Sequence, residues 1–121
     1  MLAQSTQKTE LNLVRIREDY MIFCRYDDCA AAVLDLLERW TETNKRRGCT
    51  DPWITSKSTW DIAVGLLNLY SPRRIRTRIR KLADMGFVEV RKTNTAPKNF
   101  EYLFKPDAVN AALKEAILGN E

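Results

Sequence analysis

Five arginines lie within eight residues in the middle of this 121-residue chain: Arg73, Arg74, Arg76, Arg78 and Arg80. Lys81 follows them directly, and the next acidic residue is Asp84. Guanidinium groups bind phosphates and the edge of guanine through paired hydrogen bonds, so this cluster predicts contact with nucleic acid. The alternative is a solvated helix face, but such a face usually includes compensating acids.

The charge of the chain is unevenly distributed. The segment 71–98 contains nine basic and two acidic residues, which gives it a net charge of +7, whereas the whole chain has a formal net charge of +4. The rest of the chain is therefore net negative. A local positive field of this kind attracts phosphate and speeds encounter with it.

Other chemistries have little support in the sequence. There is no histidine, and the three cysteines (Cys24, Cys29 and Cys49) form no C-x-x-C pair, which fits neither a disulfide framework nor a zinc site. The sequence also lacks a glycine-rich phosphate loop and a convincing Cys or Ser dyad. We therefore expect a non-enzymatic protein with reduced thiols that needs no metal and no cofactor.

The length and composition fit one domain with a single core, since 45% of the residues are hydrophobic. The polar residues 1–10 are predicted to be a disordered tail, and 11–17 a short strand or extended arm. There is no signal-peptide stretch and no apolar run of membrane-spanning length. These features favour a cytoplasmic protein without a membrane partner.

Apolar periodicity predicts two helices before the arginines. A stripe from Cys29 to Trp40 indicates a long first helix over 28–45, which Gly48 ends. A loop over 48–55 follows, and Ser58 with Asp61 forms the capping box of a second helix that runs to about residue 67. The three tryptophans are expected to anchor the core: Trp40, Trp53 and Trp60.

The arginines lie on a third predicted helix with clear ends. Ser71 is a favoured N-cap, Pro72 a favoured first residue, and Gly86 suits the left-handed position after the last turn. The apolar stripe Ile75, Ile79 and Leu82 must face the core. Alternation over 87–91 and 100–104 predicts a β-hairpin with a polar loop over 92–99, and a final helix begins at residue 106.

The helical wheel divides the polar side chains of this third helix. Arg73, Thr77 and Arg80 point most directly away from the apolar stripe, and Arg78 lies nearer the buried side, where we expect it to pair with an acid or reach a phosphate. The predicted DNA-binding residues are Lys57, Ser58, Ser71, Arg73, Arg74, Arg76, Thr77, Arg80, Lys81, Arg91, Lys92, Asn94 and Lys98.

The order helix, helix, short turn, helix and hairpin is that of a winged helix-turn-helix. The stretches 53–63 and 70–88 resemble the winged-helix domains of bacterial transcription regulators, and still more those of plasmid and phage replication proteins. The matching positions are Ser71, Arg74, Ile75, Arg76, Leu82, Gly86, Phe87 and Val88. Position 74, which is often threonine in that family, is arginine here.

The resemblance implies an α+β winged helix-turn-helix fold, with a three-helix core and a β-hairpin wing over 11–105. A C-terminal helix over 106–121 then packs on the first helix or on a partner chain. The implied function is non-enzymatic binding of double-stranded DNA, with 71–85 in the major groove and the wing 91–99 on the backbone, in transcription regulation or in replication. The alternative is a winged helix that binds an acidic protein surface. We also expect a homodimer, because operators are usually read by symmetric pairs.

Overall fold

The computed structural model describes residues 17–92 and 99–119. The predicted tail over 1–10, nearly all of the predicted arm and the tip of the hairpin loop, with Asn94 and Lys98, lie outside the described residues. The helices are α1 Glu18–Phe23, α2 Asp28–Arg46, α3 Thr59–Gly65, α4 Pro72–Asp84 and α5 Pro106–Gly119. The strands are β1 Ile54–Lys57, β2 Val88–Lys92 and β3 Phe100–Phe104. The prediction of an α+β chain that ends in a hairpin and a helix is confirmed.

The three strands form one antiparallel sheet in the order β1-β3-β2. The predicted hairpin pairs Val88 with Phe104 and Lys92 with Phe100. The strand β1 begins at the end of the predicted loop over 48–55 and continues past it. Its Ile54 pairs with Tyr102. A strand of four residues is too short to show a clear alternation of apolar and polar side chains. It forms because it pairs with β3, far along the chain, and the local sequence does not show that pairing.

Helix α2 is the centre of the core. Every residue from Cys29 to Leu37 is buried, and the helix packs against α1, α3, α4, β1 and β3. The side chain of Asp27 caps α2 by accepting from the backbone N–H of Ala30 at 3.0 Å. Because its whole first half is enclosed, α2 holds the other helices in fixed positions around it.

The second predicted helix has the expected start and an earlier end. The Ser58–Asp61 capping box is present, but the helix stops at Gly65 because Leu67 and Asn68 adopt left-handed backbone conformations. A Cβ atom on Gly65 would lie 2.9 Å from Leu36 Cδ2, so glycine allows α3 to approach α2 closely.

The prediction that Trp60 is a core anchor is wrong, because its side chain is 68% exposed. The inner face of α3 consists of Thr59, Ile62, Ala63 and Leu66, all of which are buried. Trp60 follows Thr59 by one residue and therefore points about 100° away from that face. Trp40 and Trp53 are half-buried.

The last helix, α5, packs against α1, the short helix that precedes the long predicted first helix. Its Val109 is buried, and Ala112 and Leu113 are partly buried against the core. Among the described helices, none has the length and hydropathy required to cross a membrane.

Candidate nucleic-acid interface

Helix α4 is fixed at both ends and along its inner face. The Ser71 hydroxyl accepts from the backbone N–H of Arg74 at 3.2 Å, and Pro72 occupies the first turn, as predicted. Ile75, Ile79 and Leu82 are buried against the core. Gly86 follows the helix with a φ of +84°, which leads the chain into β2. The opposite face of α4 is therefore presented outwards in a fixed position.

One flank of α4 is clamped by two acids at the start of α2. Arg78 Nε donates to Asp27 Oδ2 at 2.7 Å, and Lys81 Nζ lies 3.3 Å from the same oxygen. Burial raises the pKa of Asp27, but the backbone N–H of Ala30 and the two cations outweigh it, so that this pKa lies below its ordinary value. The expected pairing of Arg78 with an acid is confirmed.

Asp28 holds the next basic residue. Arg74 Nη2 donates to Asp28 Oδ1 at 3.2 Å, and its guanidinium lies 5.1 Å from the centre of the Tyr70 ring. The Tyr70 hydroxyl donates to Asp28 Oδ2 at 2.9 Å. Burial, together with this hydrogen bond, raises the pKa of Tyr70 to about 12. Arg74 and Lys81, both predicted to bind DNA, thus already have acidic partners.

The remaining cations of α4 lie on its solvent-facing side and on the flank away from Asp27 and Asp28. Arg73, Arg76 and Arg80 are exposed, and no acidic side chain within 17–92 or 99–119 lies at ion-pair distance from any of them. Thr77 is exposed between them, and its hydroxyl donates to the Arg74 carbonyl at 2.8 Å. The clamp therefore divides six basic residues into three paired ones and three that are available to a ligand.

A groove of about 290 Å³ separates α4 from the hairpin. Arg76 and Arg80 line it from the helix, Val90 lines it from β2, and Ile79 and Tyr102 contribute apolar surface. Burial and the nearby Asp61 carboxylate raise the pKa of Tyr102 to about 12, so its phenol stays protonated at neutral pH. The groove combines cations with apolar surface, which suits a phosphate and the sugar attached to it.

The described part of the hairpin offers fewer unpaired cations than the sequence predicts. Arg91 Nε donates to Glu101 at 2.8 Å, and its guanidinium lies 3.9 Å from the centre of the Trp53 ring. Lys92 is exposed at the end of β2. Of the predicted wing cations in the described part of the chain, Lys92 is thus the one without an acidic partner.

Lys57 and Ser58, the two residues that precede α3, contact other parts of the chain and not the exposed arginines of α4. Lys57 Nζ lies 5.3 Å from the Trp40 ring and faces a cleft with Asn44 and Arg47. The Ser58 hydroxyl is occupied in the capping box with Asp61. The residue here that reaches the groove between α4 and the hairpin is Thr59.

Sequence reasoning missed the turn before α2, in which Arg25 lines a cleft with Thr77 and Arg80 of α4. Arg25 and Tyr26 form the turn between α1 and α2, and both have left-handed backbones, at φ 57° and 61°. That conformation costs a non-glycine residue roughly 1–2 kcal/mol. The local sequence carries no signal for this turn, because glycine is what usually marks a left-handed position.

The described part of the chain contains two buried cysteines, Cys24 and Cys29, and an exposed one, Cys49. Residues 17–92 and 99–119 contain no group of three His, Cys, Asp or Glu side chains placed to hold a metal ion. Burial raises the pKa of both Cys24 and Cys29 to about 11, so neither thiol is ionised at neutral pH.

Comparison with known proteins returned no family model, no curated protein and no solved structure that matches this chain. The resemblance to winged-helix families therefore stays a prediction from the sequence.

Proposed function

We propose that this chain is a winged-helix protein that binds double-stranded DNA without catalysing a reaction. In this proposal α2, α3 and α4 form the three-helix core and β2 with β3 forms the wing. Helix α4 enters the major groove, which is wide enough for an α-helix. The biological role is in transcription regulation or in DNA replication.

One observation carries the proposal. Three exposed arginines project from a helix whose opposite face is buried, and the two acids that do form ion pairs with this helix, Asp27 and Asp28, bind its other cations. Arginines that only face solvent gain little from the absence of neighbouring acids. Arginines that bind phosphate need that absence, because an acid would compete with the phosphate for them. Arg73, Arg76 and Arg80 are therefore the residues we propose to contact DNA.

In this proposal one DNA strand lies along the groove between α4 and the hairpin. Arg76 and Arg80 would donate to phosphate oxygens, and the exposed side chain of Val90 would contact deoxyribose. Lys92 extends the cationic surface along the hairpin. Contacts of this kind fix the register of a protein on the duplex, and side chains that reach base edges then supply sequence preference.

Fluorescence anisotropy with a labelled random-sequence 20-base-pair duplex tests the proposal. At about 50 mM salt we expect non-specific binding with a Kd on the order of micromolar, which weakens linearly on a log-log plot as salt increases. Absence of binding to this duplex at low salt would contradict the proposal and favour the alternative, a module that binds an acidic protein surface. Selection from a random duplex pool then identifies any preferred sequence.

The homodimer, which the apolar faces of the first and last predicted helices suggest, stays a prediction. The apolar stripe of α2 is buried within the chain, whereas the exposed large apolar side chains on and after α3 are Trp60, Val64, Leu67 and Leu69. Light scattering is expected to give twice the chain mass of 14.0 kDa. A monomeric mass at high concentration would contradict a dimer.

A further inference from the structure

The turn between α1 and α2 has a backbone that its residues do not favour. Arg25 and Tyr26 both lie in the left-handed region, which glycine adopts without penalty. The backbone N–H of Tyr26 donates to the Met21 carbonyl at 2.7 Å, and in this kind of helix ending the residue before the donor, here Arg25, is usually glycine. Tyr26 is 73% exposed, so burial does not account for a tyrosine there.

Both ends of this turn are held against α4. Lys81 Nζ lies 3.5 Å from the carbonyl oxygen of Cys24 and 3.3 Å from Asp27 Oδ2. Asp27 also accepts from Arg78. The two strained residues thus sit between two attachment points on the basic helix. Strain of this kind persists where the surrounding structure imposes it, and it clusters at functional sites.

Arg25 borders the exposed surface of α4. It lines a cleft of about 370 Å³ with Thr77, Arg80, Lys81, Asp84 and Met85. Asp84 is the one acid in that lining, and no ion pair joins it to Arg25 within the described residues. Arg80 borders both this cleft and the groove beside the hairpin, so the two lie on opposite flanks of one exposed surface.

We infer that the Arg25–Tyr26 turn is a second contact with the DNA backbone, on the flank of α4 opposite the hairpin. A helix in the major groove has one phosphate strand on each side. The hairpin groove takes one strand, and the turn takes the other, with the Arg25 guanidinium and the Tyr26 hydroxyl donating to phosphate oxygens. This inference rests on the proposed DNA binding.

The test measures the affinity and salt dependence of the full chain for the random-sequence 20-base-pair duplex. Arg25→Ala is expected to weaken binding about tenfold and to reduce the salt slope by about 0.9, the effect of one lost phosphate contact. Tyr26→Phe is expected to weaken binding about threefold with an unchanged salt slope, because it removes a neutral donor. The matched control is Arg46→Ala, an exposed arginine at the far end of α2, which should change neither quantity.

Arg25→Gly separates charge from backbone strain. Glycine fits the left-handed position, so this variant is expected to melt no lower than wild type while it weakens binding as much as Arg25→Ala does. Wild-type affinity in Arg25→Ala, or weakening confined to the glycine variant, would overturn the inference while the proposed function stands. Failure of the wild-type chain to bind the duplex would instead overturn the proposed function.

Discussion

Replacing both Arg76 and Arg80 by alanine is expected to lower the affinity for duplex DNA about 100-fold and the salt slope by about 1.8. Both side chains are exposed, lack an acidic partner in the described chain and line the groove beside the hairpin. Their removal therefore breaks no internal ion pair, so the melting temperature should stay close to that of wild type. Anisotropy titrations at several salt concentrations measure both quantities.

The matched control is Lys45→Ala with Arg46→Ala, which removes the same charge from exposed positions at the end of α2. These residues lie 17 and 18 positions after Asp28 on one helix, so they are about 26 Å along its axis from the clamp on α4. The control should reduce binding less than threefold, through loss of net charge alone. Equal losses in both double variants would mean that overall charge, rather than the surface of α4, binds the DNA.

The elements that position this surface could be predicted because their signals are local. Ser71, Pro72 and Gly86 mark the ends of α4, and the spacing of Ile75 and Ile79 marks its inner face. The exposed face follows from that inner face by helical geometry alone. The hairpin likewise follows from alternation within two short segments.

The ion pairs of Arg74 and Lys81 could not be predicted, because they depend on contacts between residues that are distant in the sequence. Arg74 and Asp28 are 46 positions apart, and Lys81 and Asp27 are 54 positions apart. The net charge of 71–98 therefore does not distinguish the cations that are paired with Asp27 or Asp28 from those that are available to a ligand. The Arg25 contribution was missed for the same reason, since contacts of Cys24 and Asp27 with distant residues of α4 bring that turn to the basic surface.

The acidic clamp gives a second large expected effect: Asp27→Asn should lower the free energy of unfolding by about 1–2 kcal/mol at pH 7. Asparagine still accepts from the Ala30 N–H as an N-cap, so the variant isolates the loss of the charge that faces Arg78 and Lys81. Because folding lowers the pKa of Asp27 from 3.8, its contribution is complete above that value and is lost as the pH falls through the folded pKa. The difference in urea denaturation between wild type and variant should therefore shrink below about pH 4.

The same substitution should strengthen DNA binding even as it weakens the fold. Releasing Arg78 and Lys81 adds two cations to the surface of α4, so we expect the affinity for random duplex to rise about threefold to tenfold and the salt slope to steepen. Glu42→Gln makes the same change in charge at an exposed position on α2 and should alter neither stability nor affinity appreciably. Opposite signs for stability and affinity distinguish a clamp that restrains DNA-binding cations from an ordinary structural ion pair. If Asp27→Asn weakened both, Arg78 and Lys81 would act only to hold α4 in place.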